Sequence, residues 1–413
     1  MKILLIQHQD FINGTGGTEK ICVFLANGFA ASGHGVVIGT NQNVQGGSMF
    51  ALHPNVVLTN IYSDNIVQRD LTPLFNYRGK NPFLWIKYKL EKKVAKAKNR
   101  RILKKMGGKD ALYVSNLRAR AKAWKAYIEQ LQPDLIITMT IASLLEITYE
   151  NQLHVPIINS TNGRPDHDFT DVLWYRSEVE MRLLKESYKH LQAIQILFDS
   201  YQSYLPDNFK GICETIPNPV LGMREQDMVT HENKKRYKII HLGRLACSHK
   251  QQHLLIDAFA RLADTHQDWD LEFWGEGDDY TRLLKQIRNL KLQQRIFLRG
   301  FTDAPSSKLK EADIFAFPSR HEGFPLALAE AMYLGLPSVG LSDCCGVNEM
   351  IVHGVNGYLA EDVYGLSEYL KELMDNPEKR LLFGQKAHET IKHYDFDFVF
   401  DKWEKLANSV VKA

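Results

Sequence analysis

A strand, a glycine-rich turn, an amphipathic helix and a second strand follow one another twice in these 413 residues, and few folds accept that order. KILLI at 2–6 is a buried-strand run, and the turn NGTGGTE follows it. Ile21, Phe24, Leu25 and Phe29 then share one helical face, Ser32-Gly33-His34-Gly35 closes the helix, and VVIGT at 36–40 is the next strand. A strand reached through a helix in this way lies parallel to the first, with the glycine loop at the first strand's carboxyl end. PDLIITMT (133–140) and VPIINST (155–161) read as further buried parallel strands. The pattern restarts near residue 236. KIIHLGRL (238–245) is a strand and turn, HLLIDAFARLAD (253–264) an amphipathic helix, and DLEFWGEG (270–277), RIFLRGF (295–301) and ADIFAFPS (312–319) are strands. The seam falls at IPNPV (216–220), followed by a polar segment, 222–236. The expectation is an α/β chain of two doubly wound domains facing one another.

Length agrees, because a chain of 413 residues exceeds one ordinary core. Cys22, Cys213, Cys247, Cys344 and Cys345 form neither a disulfide framework nor a zinc spacing, which favours a reducing compartment. MKILLIQHQD is too short in its apolar part for a signal peptide, and no run approaches the length of a membrane span. A cytoplasmic location is expected. The net charge of +3 is unevenly spread: between Arg78 and Lys125 there are 17 Lys or Arg against two acids, Glu91 and Asp110.

The stretch RHEGFPLALAEAMYLGLPSVG (320–340) carries the strongest chemical signal. After Pro325 it reads as a buried helix stopped by Gly335-Leu336-Pro337, yet it holds Glu322 and Glu330. Burying a carboxylate is costly unless a partner satisfies it. Pro325 suits a first helical turn, which places Glu322 in the preceding loop and Glu330 roughly 7 Å along the helix. The amides of Gly323, Phe324, Leu326 and Ala327 would then face outward with the positive end of the helix dipole, a site for phosphate. One carboxylate on each side of a diphosphate could accept bonds from hydroxyls. The alternative is a capping glutamate plus a surface charge. Arg244 and Lys250, in GRLACSHK, are placed to neutralise a diphosphate, or are simply two solvated cations. Gly14-Thr15-Gly16-Gly17 allows backbone to approach an anion, but no Walker lysine follows. Asp166/Asp168, Asp268/Asp270 and Asp395/Asp397 have D-x-D form without a metal-binding context, and the histidines lack zinc spacing.

In order, GTGGTE, HLGRLACSHK, FWGEGDDY, IFLRGF, EGFPLALAE and GVNEMIVHGVNGYLA make the chain resemble the retaining glycosyltransferases of family four, a group with the GT-B fold and many bacterial cell-envelope sugar transferases. The resemblance implies two Rossmann-like domains across a cleft, an acceptor domain at 1–218 and a nucleotide-sugar domain at 219–390, with 391–413 a helix crossing back. It implies that Glu322 binds donor-sugar hydroxyls and Glu330 the ribose. Arg244 and Lys250 would hold the diphosphate beside the loop Gly323, Phe324, Pro325 and Leu326, whose N–H groups come from Gly323, Phe324 and Leu326. Arg299, Gly300 and Phe301 would border the base through backbone, and Gly16 and Gly17 would approach from the other domain. No metal and no cofactor are expected, and UDP is the expected nucleotide. The chain departs from the family at the end of VPIINST, where many members carry histidine. Here Asn162 stands in that place, with His167 nearby as the alternative.

In the basic stretch 78–125, Phe83, Ile86, Leu90, Val94 and Ala97 fall at helical spacing among lysines and arginines, with Trp85 and Tyr88 beside them. Such a helix reads as an element for an anionic membrane surface, peripheral on the inner face, where a lipid-linked or lipopolysaccharide acceptor is met. The alternative is a solvated helix packing its apolar face on its own domain. Nucleic acid is a poorer partner, since no binding module accompanies the charge. Rival functions are a nucleotide-sugar epimerase or hydrolase on the same fold, and a non-catalytic membrane-associated scaffold.

Overall fold

The computed structural model describes residues 1–77, 79, 81–173, 175–221, 228–229 and 234–412; Arg78 and most of the polar segment 222–236 lie outside the described residues. The first sheet is built from β1 (Lys2–Ile6), β2 (Gly35–Thr40), β3 (Val56–Asn60), β4 (Leu135–Thr138), β5 (Ile157–Ser160), β6 (Ala193–Ile196) and β7 (Ile212–Thr215). The second holds β8 (Tyr237–Leu242), β9 (Trp269–Trp274), β10 (Ile296–Gly300), β11 (Ile314–Phe317), β12 (Ser338–Leu341) and β13 (Gly357–Ala360). Their orders are β3-β2-β1-β4-β5-β6-β7 and β10-β9-β8-β11-β12-β13. Both sheets are parallel, so helices cover both faces and the central strands are continuously apolar. The order reverses between β1 and β4 in one sheet and between β8 and β11 in the other. Loops leaving the carboxyl ends of strands at such a reversal form a crevice, where doubly wound folds bind ligands.

The strands read from periodicity are present. Those that escaped it are the half-exposed edge strand β3, the polar-interrupted β6 (AIQI) and β7 (ICET), and the glycine-containing β12 and β13. Short strands of this kind carry too little apolar run to stand out. One local expectation shifts: Pro325 is the N-cap of helix Leu326–Tyr333 and lies just outside its first turn. The helix ends before Gly335, whose φ of +75° supplies the left-handed turn.

The basic stretch forms a helical hairpin. Asn81 accepts from the amides of Phe83 (2.9 Å) and Leu84 (3.3 Å) to start helix Pro82–Met106. Gly107, at φ +85°, ends it and leads into helix Lys109–Leu131. The second helix buries Leu112, Leu117, Ala121, Trp124 and Ile128, whereas the first fully buries only Ala95. Its apolar face does not pack on its own domain: Phe83 is 81% exposed and Val94 69% exposed.

At the other end of the chain, helix Phe396–Lys412 lays Val399, Phe400, Trp403, Leu406, Ala407 and Val410 into the core beneath the first sheet. Gly28 leaves room for the Phe400 ring, and Lys402 reaches the Thr215 carbonyl at 3.2 Å. This helix is a strap over the first domain reached from the second. Trp403→Ala should therefore lower unfolding stability by about 3 kcal/mol in urea titration followed by circular dichroism. A loss within experimental error would show that the strap does not hold the first domain.

Candidate active site

The loop from β11 to helix Leu326–Tyr333 presents the two glutamates where the second sheet faces the first domain. Glu322 binds the Lys250 ammonium, which also stands 5.0 Å from the centre of the Phe317 ring. Glu330, one turn inside the helix, is only 8% exposed and binds Lys20 Nζ at 2.8 Å. Lys20 belongs to helix Gly17–Ala31 of the first domain, so this pair crosses the cleft. The neighbouring Glu19 accepts a bond from the Gln7 side-chain amide at 2.5 Å.

Backbone meets backbone beside these pairs. A Cβ on Gly323 would overlap the Asn162 carbonyl, which is why glycine stands there. Tyr201 of the first domain donates to the Gly323 carbonyl at 3.2 Å, and Phe198 stacks on Phe324 with centroids 5.7 Å apart. A Cβ on Gly17 would lie 3.2 Å from Leu326 Cδ1, so the glycine loop and the helix start are neighbours across the cleft.

Between the domains lies a cavity of about 640 Å³, reaching from Glu322 and His321 to the carboxyl ends of β1 and β5. Asn162 and His167 both line it. The Asn162 side-chain amide donates to the Met139 carbonyl at 2.5 Å, which fixes its loop. The His167 ring stands 5.9 Å from that of His321. Burial lowers the pKa of both histidines, and of His8, which bonds Ser143 Oγ at 2.9 Å. Burial raises Asp168 and Glu180.

The residues expected around a donor divide into two sets. Glu322, Glu330, Gly323, Phe324, Leu326, Gly16, Gly17, Lys250 and Asn162 gather at the cleft. Arg244 is exposed beyond β8, its carbonyl held by Gln252 Nε2 at 2.8 Å. The Arg299 guanidinium binds Glu272 at 2.7 Å and stacks on Phe297, leaving the backbone of Gly300, with φ +80°, and the exposed Phe301 at the strand end. Sequence reasoning passed over Lys20, although it directly follows the GTGGTE loop, and His241. The latter is buried at the end of β8, donates from Nδ1 to the Ala316 carbonyl (3.0 Å), and has its pKa pushed down to about 3 by burial. A neutral His241 adds no charge beside Lys250. Among the described residues, no three His, Cys, Asp or Glu side chains are placed to hold a metal ion.

Two parallel sheets facing across a cleft, with an acidic helix start between them, define the GT-B class, and solved structures agree over the whole chain. One is S. aureus TarM in complex with fondaparinux, alpha-GlcNAc-glycerol and UDP, which superposes at TM-score 0.71 and 16% identity, covering 99% of this chain and 100% of that one. Residues 223–390 match the family Glycosyl transferases group 1. Curated relatives include the poly(glycerol-phosphate) alpha-glucosyltransferase of Bacillus subtilis, 27% identical over 43% of this chain and 27% of that protein. Another is the lipopolysaccharide 1,6-galactosyltransferase of Salmonella typhimurium, 26% identical over 56% of this chain and 63% of the relative. The chain spans between 24% and 54% of the length of the first curated relatives it matches.

Gly323→Ala tests the close approach. The added methyl pushes the Asn162 loop away, and a misplacement near 1 Å can lower turnover by about 100-fold. Nucleotide affinity, measured by calorimetry, should change only a few-fold, because the added methyl meets Asn162 and Gly163 of the first domain and leaves the Lys250 and Glu330 side chains where they are. Unchanged turnover would show that the two loops need not meet.

Proposed function

We propose that this chain is a metal-independent retaining glycosyltransferase. It moves a hexose or N-acetylhexosamine from a nucleotide-sugar, UDP-linked, to a growing cell-envelope glycan on a lipid or lipopolysaccharide carrier. The observation that carries this reading is the pair of ion pairs at one helix start, Glu322 with Lys250 and Glu330 with Lys20, opening on a cavity of the facing domain. The relatives named for cell-envelope glycans and the UDP in a structural neighbour support it.

The chemistry follows from charge. When the sugar–phosphate bond breaks, a diphosphate leaves with growing negative charge, and Lys250 and Arg244 stabilise it. The acceptor hydroxyl attacks on the face the diphosphate vacates and passes its proton to a leaving-phosphate oxygen, so configuration is kept and no protein nucleophile is required. Glu322 accepts bonds from the sugar's hydroxyls and Glu330 from the ribose. The two lysines hold these carboxylates until the ligand arrives. The hydroxyls then take over the glutamates, and the diphosphate offers the lysines a new partner. Asn162, tied to Met139, positions the loop that faces Gly323.

Thermal stabilisation against UDP, GDP, dTDP, CMP and UDP-sugars, repeated with EDTA, tests the donor. A nucleotide at a hundred times its dissociation constant adds roughly 2.7 kcal/mol of stability. A UDP shift that survives EDTA and is lost in Glu330→Ala is expected. No shift with any nucleotide would sink the transferase reading.

The same proposal places the protein on the inner membrane face. Helix Pro82–Met106 exposes Phe83, Trp85, Ile86, Leu90 and Val94, and lysines and arginines surround them. Each basic residue near an anionic leaflet contributes about 1 kcal/mol. No helix among the described residues is long and apolar enough to cross a membrane. Co-sedimentation with phosphatidylserine vesicles at low salt should be strong and should be lost when Phe83 and Trp85 become Ser. Equal pelleting of the double variant would remove the helix from the membrane site.

A further inference from the structure

The wall of the cavity has a charge pattern that distinguishes between acceptors. Its three arginines are all engaged by carboxylates. Arg120 binds Glu146 at 2.6 Å, Arg164 binds Asp166 at 2.7 Å, and Arg176 binds Asp168 at 2.7 Å with Glu180 at 3.6 Å. Asp10, Glu19 and Glu322 add carboxylates without adding an arginine to the lining. With His8 and His167 neutral, as burial favours, the first domain's share of the lining is neutral even with Asp168 and Glu180 protonated.

The same wall holds four buried polar atoms with no hydrogen-bond partner among the described residues: Arg176 Nε, whose charge Asp168 and Glu180 already balance, and the uncharged Gln7 Oε1, Asn159 Nδ2 and Thr161 Oγ1. Gln7 is 3% exposed, Asn159 0% and Thr161 5%. They sit together because Gln7 follows β1 while Asn159 and Thr161 lie at the carboxyl end of β5, with β4 between. One atom accepts, one donates, and the hydroxyl does both. A sugar hydroxyl also does both. A phosphodiester or carboxylate only accepts, and it would face Gln7 Oε1 and the surrounding carboxylates with no unpaired cation to receive it.

We propose that the acceptor group entering this cavity is an uncharged, hydroxyl-rich sugar residue bound through Gln7, Asn159 and Thr161, and that anionic groups such as the phosphodiesters of a polyol-phosphate chain are excluded. The proposal rests on the transferase reading and narrows its acceptor. Any phosphate of a lipid carrier then lies outside the cavity.

The test uses the full chain saturated with UDP and titrated by saturation-transfer NMR with matched probes. These are lactose against sialyllactose, and glycerol-capped glucose against a glycerol-phosphate oligomer. The neutral member of each pair should bind at millimolar concentration and its anionic partner at least tenfold more weakly. Thr161→Val, which keeps the side-chain shape, should weaken neutral binding by roughly tenfold and leave UDP binding alone. Asp168→Asn, which removes the carboxylate bound to Arg176 at 2.7 Å, should narrow the gap between neutral and anionic probes. Anionic probes binding as tightly as neutral ones, or no neutral probe binding at all, would overturn the proposal. Neutral sugars binding without any affinity for UDP would leave this inference standing and strike the transferase reading instead.

Discussion

Two carboxylates held at the start of one apolar helix organise this molecule. Glu322 and Glu330 have side chains only 12% and 11% exposed, and a carboxylate so placed must keep a partner. Their partners come from opposite sides. Lys250 follows the first strand of the same domain, whereas Lys20 comes from the first helix of the other domain. Part of what joins the domains is therefore an electrostatic requirement that a ligand rich in hydroxyls and phosphate can satisfy equally well. A contact of that kind can be exchanged during binding, which a purely apolar interface would not permit.

The parallel sheets make this arrangement possible. Each reverses strand order at its centre, so β1, β4 and β5 on one side and β8 and β11 on the other send their loops into one crevice. Glycines set how close the crevice closes: Gly323 against the Asn162 carbonyl, and Gly17 against Leu326. The strap Phe396–Lys412 ties the end of the second domain's chain to the core of the first, and the Tyr394 carbonyl accepts from Val220 at 2.7 Å where the two connections cross.

The chemistry divides along the same line. The second domain supplies two carboxylates and, in Lys250, a cation at the cleft. The first supplies a cavity in which every arginine is already neutralised and several uncharged polar atoms await a partner. Outside the cavity the charge is of the opposite kind, because helix Pro82–Met106 carries its lysines into solvent beside exposed aromatic side chains.

Much of this was legible in the sequence, and for a definite reason. Strands buried on both faces are apolar along most of their length, as ILLI (3–6) and LIIT (135–138) are, and glycine turns between them mark a parallel fold. Glu322 just ahead of an apolar helix and Glu330 inside it likewise stood out as candidate residues. Other features needed the tertiary structure. Lys20 and Glu330 are 310 residues apart, and nothing local to either announces the other. Gln7, Asn159 and Thr161 look like ordinary polar residues at strand ends until the sheet order brings them onto the wall of one cavity. Periodicity marked Phe83, Ile86 and Leu90 as one apolar face, yet only the packing of the hairpin decided that this face stays uncovered. A local pattern records which surface is apolar or charged; what it meets is fixed by the chain's path through space.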